Sequence, residues 1–415
     1  MTSSVKPDQT KNRTTPAQAS AFPLMGLMTL ALAIFLSMAT EFLPGGLIPH
    51  IATEFGRSPA EVGNLITVFA LTVIITAAPL TVLTRRVPRK AMVLISFSLI
   101  GAGNLGTTFA PTFEMLLAAR ALGALAHGAF WSVVAAYPAG LVRPGELGKA
   151  TAVTAAGGSI SGLVGIPLGN ALGQAFGWRS SFAVLAGLIL LVLVLMAWKL
   201  PAVAISRPKA AKSADNPRKE GLMPVLVVCL LIVLIVGAQT SFGTFNVVWL
   251  LDTVHMEPAV IPVMLFVGGA ASALGVAVTG ALFGRSPRRL FFGSVLVLIL
   301  ILASLPLATG SQPAVWLLSG VLGAVFGGVP VMLQTRMMLV ASSQRRNMAA
   351  ALQTTAFNVG IGGGAFLGGT AIELSGLNSL PQWAAATMTA ALIAALAWEL
   401  THKTFNDRRR PGTWQ

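Results

Sequence analysis

Glu41 stands in the run Thr40-Glu41-Phe42-Leu43-Pro44-Gly45-Gly46, inside an apolar stretch that extends from residue 22 to residue 51. A carboxylate at such depth is costly unless it is paired, protonated or facing water, and the chemistry that suits it is reversible proton binding. Pro44 and Gly45 would loosen a helix here, leaving backbone carbonyls to be satisfied by an aqueous cavity. The alternative is that the helix ends early and Glu41 is an interfacial acid. Arg120 lies a third of the way into another apolar run, Arg120-Ala-Leu-Gly-Ala-Leu-Ala-His127-Gly-Ala-Phe-Trp131-Ser. It too needs a partner at that depth, and Glu41 is the candidate by charge. At about 100° per residue, His127 falls within about 20° of the Arg120 face, two turns further on. A histidine can change charge near neutral pH and so relay a proton, or it can link two helices as a neutral hydrogen-bonded group. Glu41, Arg120 and His127 are therefore the proton-coupling candidates. Trp131 adds one more turn on that side, either as packing or as a ring on which a ligand stacks.

Other polar groups at depth are uncharged: Asn246, and Gln353 with Asn358 in Gln353-Thr-Thr-Ala-Phe357-Asn358-Val-Gly360. They can hydrogen-bond a hydroxylated ligand or a neighbouring helix, and with Trp131 they form the candidate substrate-binding set. Arg336 sits near the end of its run, where a long side chain can reach the interface, and is read as structural. The run Gly157-Gly-Ser-Ile-Ser-Gly162-Leu-Val-Gly165-Ile-Pro167-Leu-Gly169 has glycines at three- and four-residue spacing, which allow close helix approach, and a proline that bends the helix. Gly162, Gly165, Pro167 and Gly169 serve either tight packing alone or a gate, and Arg85, Arg86 and Arg89 form a basic cluster read with them as gating. No phosphate-binding Gly-rich loop, His-Glu-x-x-His or Gly-x-Ser-x-Gly motif occurs, and the four histidines, at 50, 127, 255 and 402, are scattered. The single cysteine, Cys229, lies in an apolar run. Neither an enzyme, a metal site, a cofactor nor a disulfide is expected.

These residues need elements that cross a membrane. Of 415 residues 55% are hydrophobic and 10% charged, against about 25% charged in soluble domains. The net charge of +15 would suggest nucleic acid in a soluble chain, but the charges form short clusters between apolar runs, and the basic stretch 207–219 lacks interleaved aromatics. Nucleic acid is therefore excluded as a partner. Runs of about 20 apolar residues predict twelve spans, near 22–51, 60–83, 91–110, 113–141, 150–175, 180–200, 221–250, 259–283, 290–309, 313–340, 348–375 and 380–400. Alternating from a cytoplasmic amino terminus puts all but four of the 28 Lys and Arg on the cytoplasmic side: Arg57 and Arg179 fall outside, Arg120 and Arg336 within spans. The sequence around 83–90 recurs around 283–289, and Gly-rich spans recur at 157–173 and 360–369, as in two parallel six-span repeats. The expected organisation is an all-α membrane protein with a disordered tail 1–20, a first half 21–200, a basic linker 201–220, a second half 221–402 and a tail 403–415.

On these residues the chain resembles the major facilitator superfamily, in its drug/proton antiporter branch. The basic clusters after spans 2 and 8 are similar to its loop motif, Arg120 to its span-4 motif, and Gly162-x-x-Gly165-x-Pro167-x-Gly169 to its antiporter motif. Thr-Glu-Phe-Leu-Pro, Ala-His-Gly-Ala-Phe-Trp-Ser, Gly177-Trp178-Arg179-x-x-Phe182 and Phe357-Asn-Val-Gly resemble bacterial sugar-efflux transporters, the arabinose exporter group. The resemblance implies proton-driven export of a sugar or drug from the cell across the inner membrane by alternating access, with an acid at the position of Glu41 carrying the proton and Arg120 assisting. It implies that spans 1, 4, 7 and 10 line the cavity. Thr84 and Pro88 stand where the loop motif has Asp and Gly, so its usual charge-paired gate is not expected here. The expected partners are a small molecule, protons and the lipid bilayer, with the chain acting as a monomer. Uptake by symport, or a membrane receptor that transports nothing, are the competing readings. Reporter fusions after residues 112 and 215 are expected to report opposite sides of the membrane, and same-side signals would overturn the span count.

Overall fold

A chain this apolar must satisfy its backbone internally, and among the described residues it does so with helices joined by short turns. The computed structural model describes residues 22–84, 86–203, 222–342 and 345–402. The helices are α1 (Leu24–Phe55), α2 (Pro59–Leu83), α3 (Arg89–Phe109), α4 (Phe113–Leu125), α5 (His127–Leu141), α6 (Leu147–Ile160), α7 (Ile166–Phe176), α8 (Trp178–Lys199), α9 (Met223–Asp252), α10 (Ile261–Leu282), α11 (Pro287–Ser304), α12 (Gln312–Val340), α13 (Arg346–Ser375) and α14 (Leu380–His402). A π-helical segment, Ser161–Gly165, joins α6 to α7. Among the described residues there is no strand. The tails and most of the linker, with Arg85, lie outside the described residues.

With α4–α5 and α6–α7 each counted as one stretch, eleven helical stretches among the described residues are long and apolar enough to cross a membrane. The twelfth expected span is α13, a 30-residue helix whose glycines, threonines and amides lower its hydropathy. Side chains such as Leu190, Val194, Leu300 and Leu396 are exposed, as the lipid-facing surface of a membrane bundle requires. Gly56, Gly177 and Gly376 turn the chain after α1, α7 and α13 with φ of 59°, 83° and 80°, values that favour glycine.

The packing joins α3 to α4 and α8, α1 to α6 and α8, α10 to α12, α9 to α13 and α14, and α11 to α14. The first eight helices meet the last six along three seams: α2 on α13, α1 on α9, and α7 with the π segment on α10. All three lie from mid-bundle towards the end that carries Phe55, Gly177 and Asp252, opposite the end that carries Leu24 and His402. Small residues make them close. A Cβ on Gly269 would stand 2.5 Å from the Gly162 carbonyl, and one on Gly45 3.3 Å from the Thr244 carbonyl. Thr67 Oγ1 donates to the Gly362 carbonyl at 3.2 Å. The span-5 glycines divide between two roles. Gly157, Gly165, Gly169 and Gly173 abut Ala31, Phe35, Leu43 and Leu47 of α1, whereas the Gly162 backbone meets α10.

The two basic residues on the far side, Arg57 and Arg179, are both held by acids. Arg179 pairs with Glu54 and donates to the Ala110 carbonyl at 2.7 Å, while Trp178 Nε1 donates to Glu54 at 2.6 Å. Arg57 pairs with Glu61 at 3.1 Å and with Glu114 at 2.9 Å. These half-exposed pairs contribute little each, about 0–1 kcal/mol, but they tie α1, α2, α4 and α8 together at one end. At the terminal side Arg89 donates to the Ala136 carbonyl at 3.4 Å within its own half, and Arg86 is exposed. Arg288 Nε lies 3.8 Å from Glu399, an acid buried in the last helix.

Gly275→Ala places a methyl 1.7 Å from the Ala324 carbonyl of α12, so α10 and α12 must separate. The expected loss is about 1–3 kcal/mol, read as a lowered Tm in detergent. Gly187→Ala, on α8 with open space around it, should leave Tm unchanged or raise it, and equal losses in both variants would contradict this packing.

Candidate functional site

Pro44 determines how the site is built. In a regular helix the residue at 44 would donate its N–H to the carbonyl of Thr40, and proline has none to give. Arg120 supplies the missing donor. Its Nη1 donates to the Thr40 carbonyl at 2.7 Å and its Nη2 to the Glu41 carbonyl at 3.3 Å, with the guanidinium 2% exposed and its Cζ 4.6 Å above the Phe69 ring. Asn104 Nδ2 donates to Thr40 Oγ1 at 3.0 Å, so α3 and α4 both fasten the same turn of α1. Pro49 frees the carbonyl of Gly45 one turn later, and there Asn170 Nδ2 donates to the neighbouring Gly46 carbonyl.

The expected carboxylate–guanidinium bond is therefore not the contact made: Arg120 is engaged by backbone carbonyls, and the Glu41 carboxylate faces a histidine. His127 Nε2 lies 3.3 Å from Glu41 Oε2, and both side chains are buried. His127 Nδ1 lies 3.3 Å from Ser37 Oγ, one turn before Glu41 on α1. Trp131 Nε1 donates to His127 Nε2 at 2.9 Å. The Phe69 ring closes the remaining side, 5.0 Å from the imidazole. Glu41 lies mid-helix rather than at a helix end, which removes the interfacial alternative within this structure.

Span 4 breaks between α4 and α5 at Ala126, so His127 begins a new helix. The face extrapolated from Arg120 is interrupted there, yet both residues still reach Phe69. Discontinuous helices at mid-membrane are where transporters commonly bind ions and substrates. Gly128 lets α5 approach α2 closely, since a Cβ there would stand 2.6 Å from that of Ala77.

The depth of the other candidates follows from helix register. Antiparallel α2 and α13 meet at Thr67 with Gly362 and at Ala60 with Gly369. Continued one for one, this register sets Asn358 opposite residue 71 and Gln353 opposite residue 76, the depth at which Phe69 and Ala77 meet His127 and Gly128. The Oδ1 of Asn358 and the Oε1 of Gln353 are buried without a hydrogen-bond partner, and Asn358 Nδ2 donates to the Thr354 carbonyl at 3.0 Å. Asn246 is placed differently. It follows Phe245, whose ring lies against Gly63 and Gly368, in the closed end rather than level with Glu41. The contact of Gly45 with Thr244 instead brings Gln239 to about the level of Glu41, its buried Oε1 without a partner. Sequence reasoning missed Gln239, although an amide in the apolar run Val236-Gly-Ala-Gln-Thr was the available signal. Arg336 is buried, 6% exposed, and does not extend to the interface as expected.

A buried acid, a histidine and a guanidinium at a helix break, in a bundle of helices long enough to span a membrane, define a class: polytopic helical membrane transporters. The Major Facilitator Superfamily profile matches residues 30–365, and the chain belongs to that family. It is 30% identical over 357 residues to a "Probable sugar efflux transporter" of Helicobacter acinonychis, covering 86% of this chain and 90% of that one. It is 26% identical over 354 residues to a protein of the same description in Mannheimia succiniciproducens, covering 85% and 88%. In structure it is similar to a bacterial homologue of the human lysosomal transporter Spinster, inward-facing and occupied, with a TM-score of 0.72, 17% identity and coverage of 93% and 98%. It is also similar to a mutant of the nucleoside transporter NupG, with a TM-score of 0.67, 13% identity and coverage of 90% and 98%. The protein is a membrane transporter and not an enzyme.

Arg120→Met is expected to leave the Thr40 carbonyl buried without a donor and to cost about 1–3 kcal/mol. Pro44→Ala restores a backbone N–H for that carbonyl, so Arg120→Met should cost measurably less in that background. A double-mutant cycle on thermal stability that gives additive losses would dismiss this account of Arg120.

Proposed function

We propose that the protein is a proton-coupled antiporter that exports a small, uncharged, hydroxylated molecule, a sugar first among the candidates, across the bacterial inner membrane by alternating access. The observation that carries the proposal is the buried contact of Glu41 with His127, 3.3 Å apart, beside a guanidinium already engaged by backbone carbonyls. A carboxylate and an imidazole, both buried and within reach of one another, are groups between which a proton can pass. The direction of transport and the sugar are supported by what the relatives are called.

The ligand lies between the halves at the depth of His127, with Trp131 as an aromatic wall and Gln353, Asn358 and Gln239 offering amide oxygens that lack partners in the protein. Unpaired buried acceptors are costly, and ligand hydroxyls would satisfy them. The halves, residues 21–200 and 221–402, rock about this site. The Gly162 seam is part of the gate at the closed end. Both termini are cytoplasmic and the monomer is the working unit.

Glu41→Gln keeps shape and hydrogen bonding but cannot cycle a proton. The variant is expected to fold and to retain its ligand-induced rise in Tm in a screen of sugars, nucleosides and phenicols. It should lose transport driven by a pH gradient in proteoliposomes while keeping ligand exchange at equilibrium. Full gradient-driven export by Glu41→Gln would remove this carboxylate from the mechanism.

A further inference from the structure

The imidazole of His127 has more neighbours than it can serve. Nε2 carries one in-plane position, either a lone pair or an N–H, and two groups converge on it: the indole N–H of Trp131 at 2.9 Å and Glu41 Oε2 at 3.3 Å. An indole nitrogen only donates, so its bond to Nε2 requires that Nε2 be unprotonated. The imidazole proton is then on Nδ1, where Ser37 Oγ accepts at 3.3 Å. We infer that Trp131 is held in its ligand-facing pose by the lone pair of His127 Nε2, so that a proton arriving there releases the indole and the proton and the ligand exclude one another at a single atom.

The exchange balances. A proton adds to the Nε2 lone pair, the indole N–H loses its acceptor, and the new Nε2–H donates to the Glu41 carboxylate, which gains a cation as its partner. Loss of the proton reverses each step. This inference rests on the antiport reading and supplies what that reading requires: a physical reason why the protonated form binds ligand poorly. Trp131 then acts as a positioning residue whose ring touches ligand while its nitrogen reports the state of His127.

The charged groups around the imidazole are few. From α1 come Glu41 and the neutral Ser37, and from α4 Arg120, turned towards the Thr40 and Glu41 carbonyls. From α2 come Phe69, Val73 and Ala77, none of which titrates. The charges of α3 and α6, Arg89, Lys90 and Lys149, lie towards the terminal end against Ala136, Ala197 and Phe22. Glu41 is thus the carboxylate available to receive the protonated imidazole.

The test follows the indole N–H itself. The full chain in lipid nanodiscs, with its eight tryptophans labelled at the indole nitrogen, gives N–H resonances whose positions report hydrogen bonding. The Trp131 peak is identified by its loss in Trp131→Phe and, independently, by its displacement in His127→Leu. In the wild type it is expected at a bonded position at alkaline pH and at an unbonded position after acidification, and in His127→Leu at the unbonded position throughout. A wild-type peak that holds one position across the titration overturns the inference, as does a peak that moves equally in His127→Leu. Either result leaves the antiport reading standing, because that is judged by Glu41→Gln in proteoliposomes.

Discussion

A buried carbonyl oxygen that its own helix leaves without a donor is the constraint around which this site is organised. Pro44 creates it at Thr40, and the nearest flexible donor long enough to answer from another helix is an arginine. Arg120 Nη1 and Nη2 are committed to the Thr40 and Glu41 carbonyls at 2.7 and 3.3 Å, and the contact the Glu41 carboxylate makes is with His127, a group that can lose its charge. A carboxylate tied to a permanent cation would stay ionised. One tied to a histidine can share a proton with it. The orphaned carbonyl of Thr40 and the buried Glu41–His127 contact thus arise at neighbouring residues of one helical turn. Near Pro49, one turn later, a neutral donor serves: Asn170 Nδ2 bonds the Gly46 carbonyl, next to the Gly45 carbonyl that Pro49 frees.

How much of this could be read from residue order varies with the physics involved. The apolar runs, the deep acid and the helical bundle were legible because burial of charge in lipid leaves a strong compositional mark. Arg120 reaches the Glu41 carbonyl and not the carboxylate that its charge pointed to, since pairing by charge overlooks the carbonyl that proline orphans. The break at Ala126 had little local signal: neither Gly nor Pro stands there, and the helix yields between Gly123 and Gly128, where α3 and α2 press close. Glu399 and Gln239 escaped notice as single polar residues in long apolar runs, and their burial depends on which helix face meets which neighbour. Asn246 lies two turns from Gln239 on the same helix, but the aromatic wedge of Phe245 separates their surroundings. Only tertiary contact distinguishes them.

Arg57 and Arg179 show a related limit. As charges they counted against the rest of the basic residues and helped orient the bundle. Their surroundings explain why the far side tolerates them: each is matched to acids at helix ends, and the set fastens four helices of one half without reaching the other.

The seams between the halves have a different character, and it bears on speed and on leakage. Where Gly269 meets Gly162, Gly45 meets Thr244 and Gly362 meets Thr67, the surfaces are joined chiefly by backbone against small side chains. Apart from the Thr67–Gly362 hydrogen bond, such a joint is held by dispersion, of which about a quarter to a half is lost over a gap of about 0.5–1 Å, and parting it requires no ion to be rehydrated. A barrier of this kind is low and short-ranged, so the two halves can part and reseal many times at little energetic loss. Its watertightness, however, comes from shape alone. Every added methyl along the seam would hold it ajar, turning a shutter into a slow conduit for small ions.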